Sequence, residues 1–289
     1  MRRHILLIVS IVVVLIAGAI FGFNQIDKSN FGVPRFYAWR MLSGEFHGGR
    51  RASVNGVSIY YETYGSGPPV LLLHGGMGFL ESMHYFIPAL VSTHLVIAVD
   101  SRAQGRSTDS SAPISYALMG EDMIKLMNAL GIPQADVIGW SDGGIIGLDM
   151  AMKHPGRVRR LIAIGANYDV SGIPPKELDP SAIRAFAEQV RPFYTNIAPD
   201  PGHFAIMVKK ITDMGTTQPH YTLAELGRIR ARTLIVAGDH DMILRKHTDS
   251  LAHAIPGAKE IIVPDATHFG PLEMPQVYET LAVNFLNSP

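Results

Sequence analysis

Gly139-Trp140-Ser141-Asp142-Gly143 follows the run Ala135–Ile138 and leads straight into Gly144-Ile145-Ile146-Gly147-Leu148. The order reads as a strand, a sharp turn and a helix. A turn this tight strains its central residue and brings strand and helix close together, so the flanking positions must be small. Gly139 and Gly143 satisfy that requirement. The turn lifts the Ser141 hydroxyl clear of the sheet and aims the Asp142 N–H at the same space, which suits a nucleophile. The plain alternative is a glycine-rich turn whose serine caps the following helix.

Serine is a weak nucleophile at neutral pH and needs a base that is itself held by an orienting group. Thr233–Ala237 reads as a buried strand ending in Gly238-Asp239-His240-Asp241, which offers carboxylates at the sheet edge. Ile261–Val263 reads as another strand, and Pro264-Asp265-Ala266-Thr267-His268-Phe269 after it supplies an imidazole. Nucleophile, acid and histidine then follow in the chain order Ser141, Asp241, His268, each at a strand end.

From about residue 52 to the C-terminus the chain resembles the α/β-hydrolase fold family. His74-Gly75-Gly76-Met77-Gly78, after the strand Val70–Leu73, resembles that family's oxyanion loop. Asp100-Ser101-Arg102-Ala103-Gln104-Gly105-Arg106-Ser107 resembles its DxRGxGxS loop, with Ala103 where glycine is usual. Gly238–Asp241 is similar to the acid loop, and Ala266-Thr267-His268-Phe269 to the AGHF histidine loop, with Thr267 replacing glycine. The elbow is similar to that of valacyclovir-hydrolase-like serine esterases. The HGG loop is similar to that of proline iminopeptidases, which carry proline where Met77 stands. The resemblance implies a mostly parallel sheet flanked by helices, with a small helical cap inserted before the acid strand.

Asp239 is a rival for the acid, being nearer the strand end; the family spacing favours Asp241. Asp265 reads as a turn former. His74 opens the oxyanion loop and braces it rather than moving protons. The oxyanion donors are assigned to the backbone N–H groups of Gly76 and Asp142, because a developing oxyanion needs donors fixed in advance.

Composition narrows the function class without naming a substrate. With 289 residues, 47% of them hydrophobic, the chain can bury one large core. Lys+Arg and Asp+Glu both number 25, with no basic block, so nothing points to a nucleic-acid partner. There are no cysteines, which excludes a thiol nucleophile, disulfides and thiolate metal sites. No metal-ligand spacing or phosphate-binding loop is present, and neither a metal nor a cofactor is expected.

After Arg2-Arg3, the run Ile5–Phe23 has Ser10 as its one polar residue. Its length approaches the roughly 20 residues that span a bilayer and exceeds the roughly 7–15 of a secretory core. Residues 1–23 are read as a transmembrane anchor, the alternative being a signal peptide cut after Ala17-Gly18-Ala19. Arg2 and Arg3 hold the N-terminus inside and send the enzyme outward. The protein is then membrane-anchored on the outer side, or secreted or periplasmic after cleavage. Residues 24–51 read as a tether and residues 52–289 as the catalytic domain.

Within that domain strands and helices alternate, beginning with a hairpin over Ser53–Tyr64 around Asn55-Gly56. Such alternation specifies an α/β sheet covered on both faces. The alternation breaks over about 168–229, the cap, where helices are expected near Pro180–Tyr194, His203–Asp213 and Thr222–Leu226. Met77, Trp140, Phe193, Met207 and Phe269 are the candidate pocket residues. The competing reading of the cap's apolar residues is a simple packing face.

The reading is a serine hydrolase of a carboxylic ester acting through Ser141, His268 and Asp241 and an acyl-enzyme, on a small-molecule substrate. Amide or peptide cleavage, C–C bond hydrolysis and cofactor-free perhydrolysis are alternatives on the same three residues. A non-catalytic binding protein is the alternative from another class. Oligomeric state is not legible.

Overall fold

The computed structural model describes residues 32–288. The apolar run Ile5–Phe23 lies outside them. No helix among the described residues is long and apolar enough to cross a membrane. The chain divides into two units, Met1–Gly44 and Glu45–Pro289. The described part of the first is helix α1, Val33–Leu42. It carries a proline in its first turn, where a missing N–H costs nothing.

The second unit is built on one eight-stranded sheet in the order β1-β2-β4-β3-β5-β6-β7-β8. The strands are β1 Phe46–Val54, β2 Val57–Tyr64, β3 Pro69–Leu73, β4 Leu95–Val99, β5 Ala135–Trp140, β6 Val158–Ile164, β7 Arg232–His240 and β8 Lys259–Thr267. β1 and β2 form the expected antiparallel hairpin, with Asn55 and Gly56 both at positive φ in its turn. β2 pairs antiparallel with β4, and every other pairing is parallel. Buried parallel strands read as continuous apolar runs, and Leu71, Leu72, Leu73, Val137 and Ile138 are at most 1% exposed.

The segment read as a tether over 24–51 contains helix α1 and the first residues of β1. Its strand was hidden because β1 is an edge strand: from Phe46 to Arg51 it is exposed or half-buried, and only Ala52 and Val54 are buried. Without alternation there is no period to read.

Helices α2 Phe86–Leu90, α3 Tyr116–Ala129 and α4 Asp142–Lys153 lie between strands before the cap, α8 Arg245–Ala254 lies between β7 and β8, and α9 Gly270–Glu273 and α10 Pro275–Asn287 follow β8. The cap lies between β6 and β7 and holds α5 Pro180–Ile197, α6 Phe204–Thr217 and the short α7 Leu223–Leu226. α5 runs three residues beyond the expected Tyr194 and contains Pro192. α6 turns Phe204, Met207, Ile211 and Met214 inward at helical spacing. The carboxyl ends of β3 and β5 lie side by side where strand order reverses, the place where open α/β sheets form their crevice.

Candidate active site

The elbow is built as its glycines require. Ser141 has φ 54° and ψ −120°, a conformation a non-glycine residue holds only when its surroundings impose it. A Cβ on Gly139 would stand 2.1 Å from the Gly143 carbonyl oxygen, and one on Gly143 would stand 2.0 Å from that of Leu73. Both obstacles are backbone, so neither position admits a side chain. Ser141 N–H donates to Ile164 O at 2.8 Å, tying the turn to β6.

His268 lies between Ser141 and Asp241. Its Nε2 is 2.9 Å from Ser141 Oγ, and its Nδ1 is 2.9 Å from Asp241 Oδ1. The Asp241 side chain is 3% exposed and the imidazole 11%. Asp241 also accepts from the Ile243 N–H at 3.0 Å, which steadies the carboxylate. Asp239 faces away: it is exposed, and its Oδ1 lies 3.7 Å from His240 Nε2. Asp239, His240 and Asp265 have ligand atoms within 4.8 Å of one another, the one such gathering among the described residues, but all three are exposed. Asp265, read as a turn former, lies instead inside β8, with φ 58° at the irregularity in the pairing of β8 with β7.

The loop His74–Gly78, read from sequence as the oxyanion loop, closes on the elbow from β3. The N–H groups of Gly76 and Asp142 have no backbone acceptor among the described residues. A Cβ on Gly76 would be 2.6 Å from Asp142 Oδ2 and 3.2 Å from Ile211 Cγ2, so the loop, the elbow and cap helix α6 meet there. His74 braces the loop from behind: its Nδ1–H donates to Gly75 O at 2.7 Å and its Nε2 accepts from Ser101 N–H at 3.0 Å. Burial pushes its pKa down to about 4, against the pull of the Gly75 carbonyl. The ring is therefore neutral, with one proton fixed on Nδ1.

Four features escaped the sequence. The Asp142 side chain is buried and faces this junction: Oδ1 accepts from Tyr116 Oη at 2.8 Å, while Oδ2 has no partner. Burial raises its pKa to about 6, with the Tyr116 hydrogen bond and the nearby His268 holding it back. Gly165, after β6, sits beneath the imidazole, where a Cβ would be 3.1 Å from His268 Cε1 and 3.3 Å from Asp241 Oδ2. Thr267, read as a substitution for glycine, donates Oγ1–H to Glu273 at 2.7 Å and fixes the histidine loop. Trp140 donates its indole N–H to His268 O at 2.9 Å. The aspartate after the serine was visible in the motif, but the other three depend on residues that only folding brings near.

The candidate pocket residues divide by exposure. Met77 and Met207 are buried, at 5% and 0%, and join the main apolar cluster, as does most of the inward face of α6. Trp140 is 6% exposed, whereas Phe193 and Phe269 each expose 38%. Phe193 stacks on Phe79 at 5.7 Å, and Phe269 lies 5.8 Å from Phe186 and 5.9 Å from Trp140. Cap helix α5 thus touches both the oxyanion-loop side and the histidine side of the site.

Comparison with known proteins agrees with this architecture. Residues 68–202 match the family model described as alpha/beta hydrolase fold. The human protein "Serine hydrolase BPHL" is 30% identical over 255 residues, covering 82% of this chain and 85% of the relative. A "Putative carbamate hydrolase RutD" of Azorhizobium caulinodans is 28% identical over 252 residues, 78% of this chain and 94% of the relative. Among solved structures, "Est816 as an N-Acyl homoserine lactone degrading enzyme" is 26% identical with a TM-score of 0.68, covering 82% of this chain and all of the other. The strand order, the site at the sheet's carboxyl edge and these relatives converge: the chain belongs to the α/β-hydrolase fold family.

Proposed function

We propose that this hydrolase cleaves a carboxylic ester through an acyl-enzyme on Ser141. The observation that carries the reading is the continuous chain Ser141 Oγ, His268 Nε2, His268 Nδ1, Asp241 Oδ1, with 2.9 Å at both hydrogen-bonded links. Ser141 Oγ attacks the carbonyl carbon while His268 Nε2 takes its proton. Asp241 keeps the other ring nitrogen protonated and stabilises the imidazolium. The N–H groups of Gly76 and Asp142 receive the oxyanion. His268 returns the proton to the departing alcohol; water, activated by the same nitrogen, then releases the acid and frees Ser141. The similar proteins include one named as a putative carbamate hydrolase and one as an N-acyl homoserine lactone degrading enzyme, and both named substrate classes carry a carbonyl bonded to a heteroatom.

A second reading is favoured by Asp142. An ionisable carboxyl with one unpartnered oxygen, next to the nucleophile, suits a substrate bearing an ammonium group close to its carbonyl, as in an aminoacyl ester or amide. A pairing charge would offset the desolvation that the carboxylate now bears alone.

The test is a panel of p-nitrophenyl esters of increasing acyl length run beside aminoacyl esters and aminoacyl anilides, with folded Ser141→Ala protein as the control. Turnover of esters that vanishes in Ser141→Ala supports the first reading. A preference for the aminoacyl members moves the assignment to the second. The apolar run Ile5–Phe23 supports an anchored enzyme acting on the outer side of a membrane.

A further inference from the structure

β5 and β8 are not neighbours. β6 and β7 lie between them, so the strand that ends just before Ser141 and the strand that ends just before His268 are three places apart, about 14 Å at the usual spacing. His268 nevertheless stands 2.9 Å from Ser141 Oγ, so its loop must reach back across the ends of β7 and β6. Besides the imidazole, side-chain hydrogen bonds from outside the loop hold it on either side of His268. On the N-terminal side Thr267 donates its N–H and Oγ1–H to Glu273, at 3.1 and 2.7 Å. On the C-terminal side the Trp140 indole N–H donates to the His268 carbonyl oxygen at 2.9 Å.

We infer that Trp140 is a positioning residue that holds the His268 backbone to the elbow. The inference rests on the proposed acyl-enzyme mechanism. Trp140 is the residue directly before the nucleophile, so one rigid piece of backbone presents Ser141 Oγ and grips the base. Its ring is 6% exposed and packs edge-on against Phe269 at 5.9 Å, which leaves it little freedom to swing.

The grip matters most when the other link is gone. Once Ser141 Oγ is acylated it carries no proton to give to His268, and the Oγ–Nε2 bond that helps locate the ring is lost. Asp241 still orients the imidazole, but it is attached to β7 and not to the elbow. The Trp140 hydrogen bond is then the direct tie between the acylated residue's own strand and the base that must aim water at the ester. Deacylation is therefore the step that depends on it.

Trp140→Phe keeps a ring and removes the donor. With a p-nitrophenyl ester, kcat is expected to fall about tenfold, since a small misplacement of a base is costly. KM is expected to fall in parallel because acyl-enzyme accumulates, so kcat/KM changes less than about threefold. A rapid burst of one p-nitrophenol per site accompanies this. Replacing Trp140 with benzothienylalanine, which has the indole's shape without its N–H, gives the same pattern and covers the case in which phenylalanine unfolds the protein. Unchanged kcat and KM overturn the inference. So does a lower kcat at unchanged KM with proportionally fewer titratable sites, which marks lost packing. If the wild type itself gives no ester turnover, the proposed function fails and this inference with it, whereas normal wild-type turnover with unaffected variants removes the inference alone.

Discussion

Tyr116 Oη donates a 2.8 Å hydrogen bond to Asp142 Oδ1 and leaves Oδ2 of the same buried carboxyl unpaired beside Gly76. Burial drives the Asp142 pKa up from 3.8 to about 6, so the native state binds a proton there more tightly than the unfolded chain does. Between those two pH values stability rises as pH falls; above about 6 the ionised carboxylate carries its full penalty, up to about 3 kcal/mol. Asp142→Asn is expected to raise Tm at pH 7.5, with the gain shrinking to nothing near pH 4. Turnover of aminoacyl esters is expected to fall at least about tenfold while neutral esters are spared. Thermal melts across that pH range and kcat/KM on matched ester pairs check both halves. Equal losses on both esters would remove the ammonium reading.

Ser141→Ala and His268→Ala are each expected to lower kcat by at least about 10³-fold while the protein stays folded. The double variant should be little worse than either single one, because the residues act as a unit. Ester kinetics with circular dichroism on the same samples decide this. Losses that multiply would mean that the two residues contribute independently.

The two aspartates of the acid loop separate cleanly. Asp241→Asn leaves an amide against His268 Nδ1, unable to stabilise the imidazolium, and a loss of about 10²–10⁴-fold in kcat is expected. Asp239 points into solvent beside His240, and Asp239→Asn should stay within about threefold of wild type. A reversed ranking moves the acid to Asp239.

Ala103 occupies the left-handed region at φ 66°, where glycine is the easier residue. Ala103→Gly relieves that strain and gives back part of the gain through a more flexible unfolded chain. A net stabilisation of up to about 1 kcal/mol, a Tm rise of about 1–3 °C, is expected. A lower Tm would show that the buried Ala103 methyl contributes more by packing than the strain costs.

Full-length protein made in cells is expected to sediment with membranes and to resist high salt and alkaline carbonate, since apolar burial is what holds an anchor. A chain beginning near Asn30 should be released and keep its ester turnover. N-terminal sequencing distinguishes the alternatives: a mature start at Ile20 identifies a cleaved signal, and an intact Arg2-Arg3 end in the membrane fraction an anchor.

The elbow, the hairpin at Asn55-Gly56 and the order of strand ends were legible because each depends on neighbours in the chain. The glycines flanking Trp140-Ser141-Asp142 announce a backbone crossing, and the crossing is there, at contact distances that leave no room for a Cβ. β1 was not legible beyond its last residues, because an exposed edge strand has no buried face to impose a period on Phe46–Arg51. β8 likewise continues through Pro264 and Asp265 to Thr267, where a proline and an aspartate read as its end.

Local sequence specifies which residue types stand at the strand ends: a serine in a strained turn, two aspartates at the end of β7 and just after it, a histidine just after β8, and a small-residue loop after β3. These are local choices of backbone and chemistry, recorded within a few residues of one another. The spacing already favours Asp241 over Asp239, and folding brings Asp241 to the imidazole; where the Asp142 carboxyl points and what Trp140 grips depend on the tertiary structure. Tyr116 reaches Asp142 across 26 residues and Trp140 reaches His268 across 128. Pairings at such separations follow from the order of strands in the sheet and from which side chains it leaves without water, and neither is written in any one stretch of the chain.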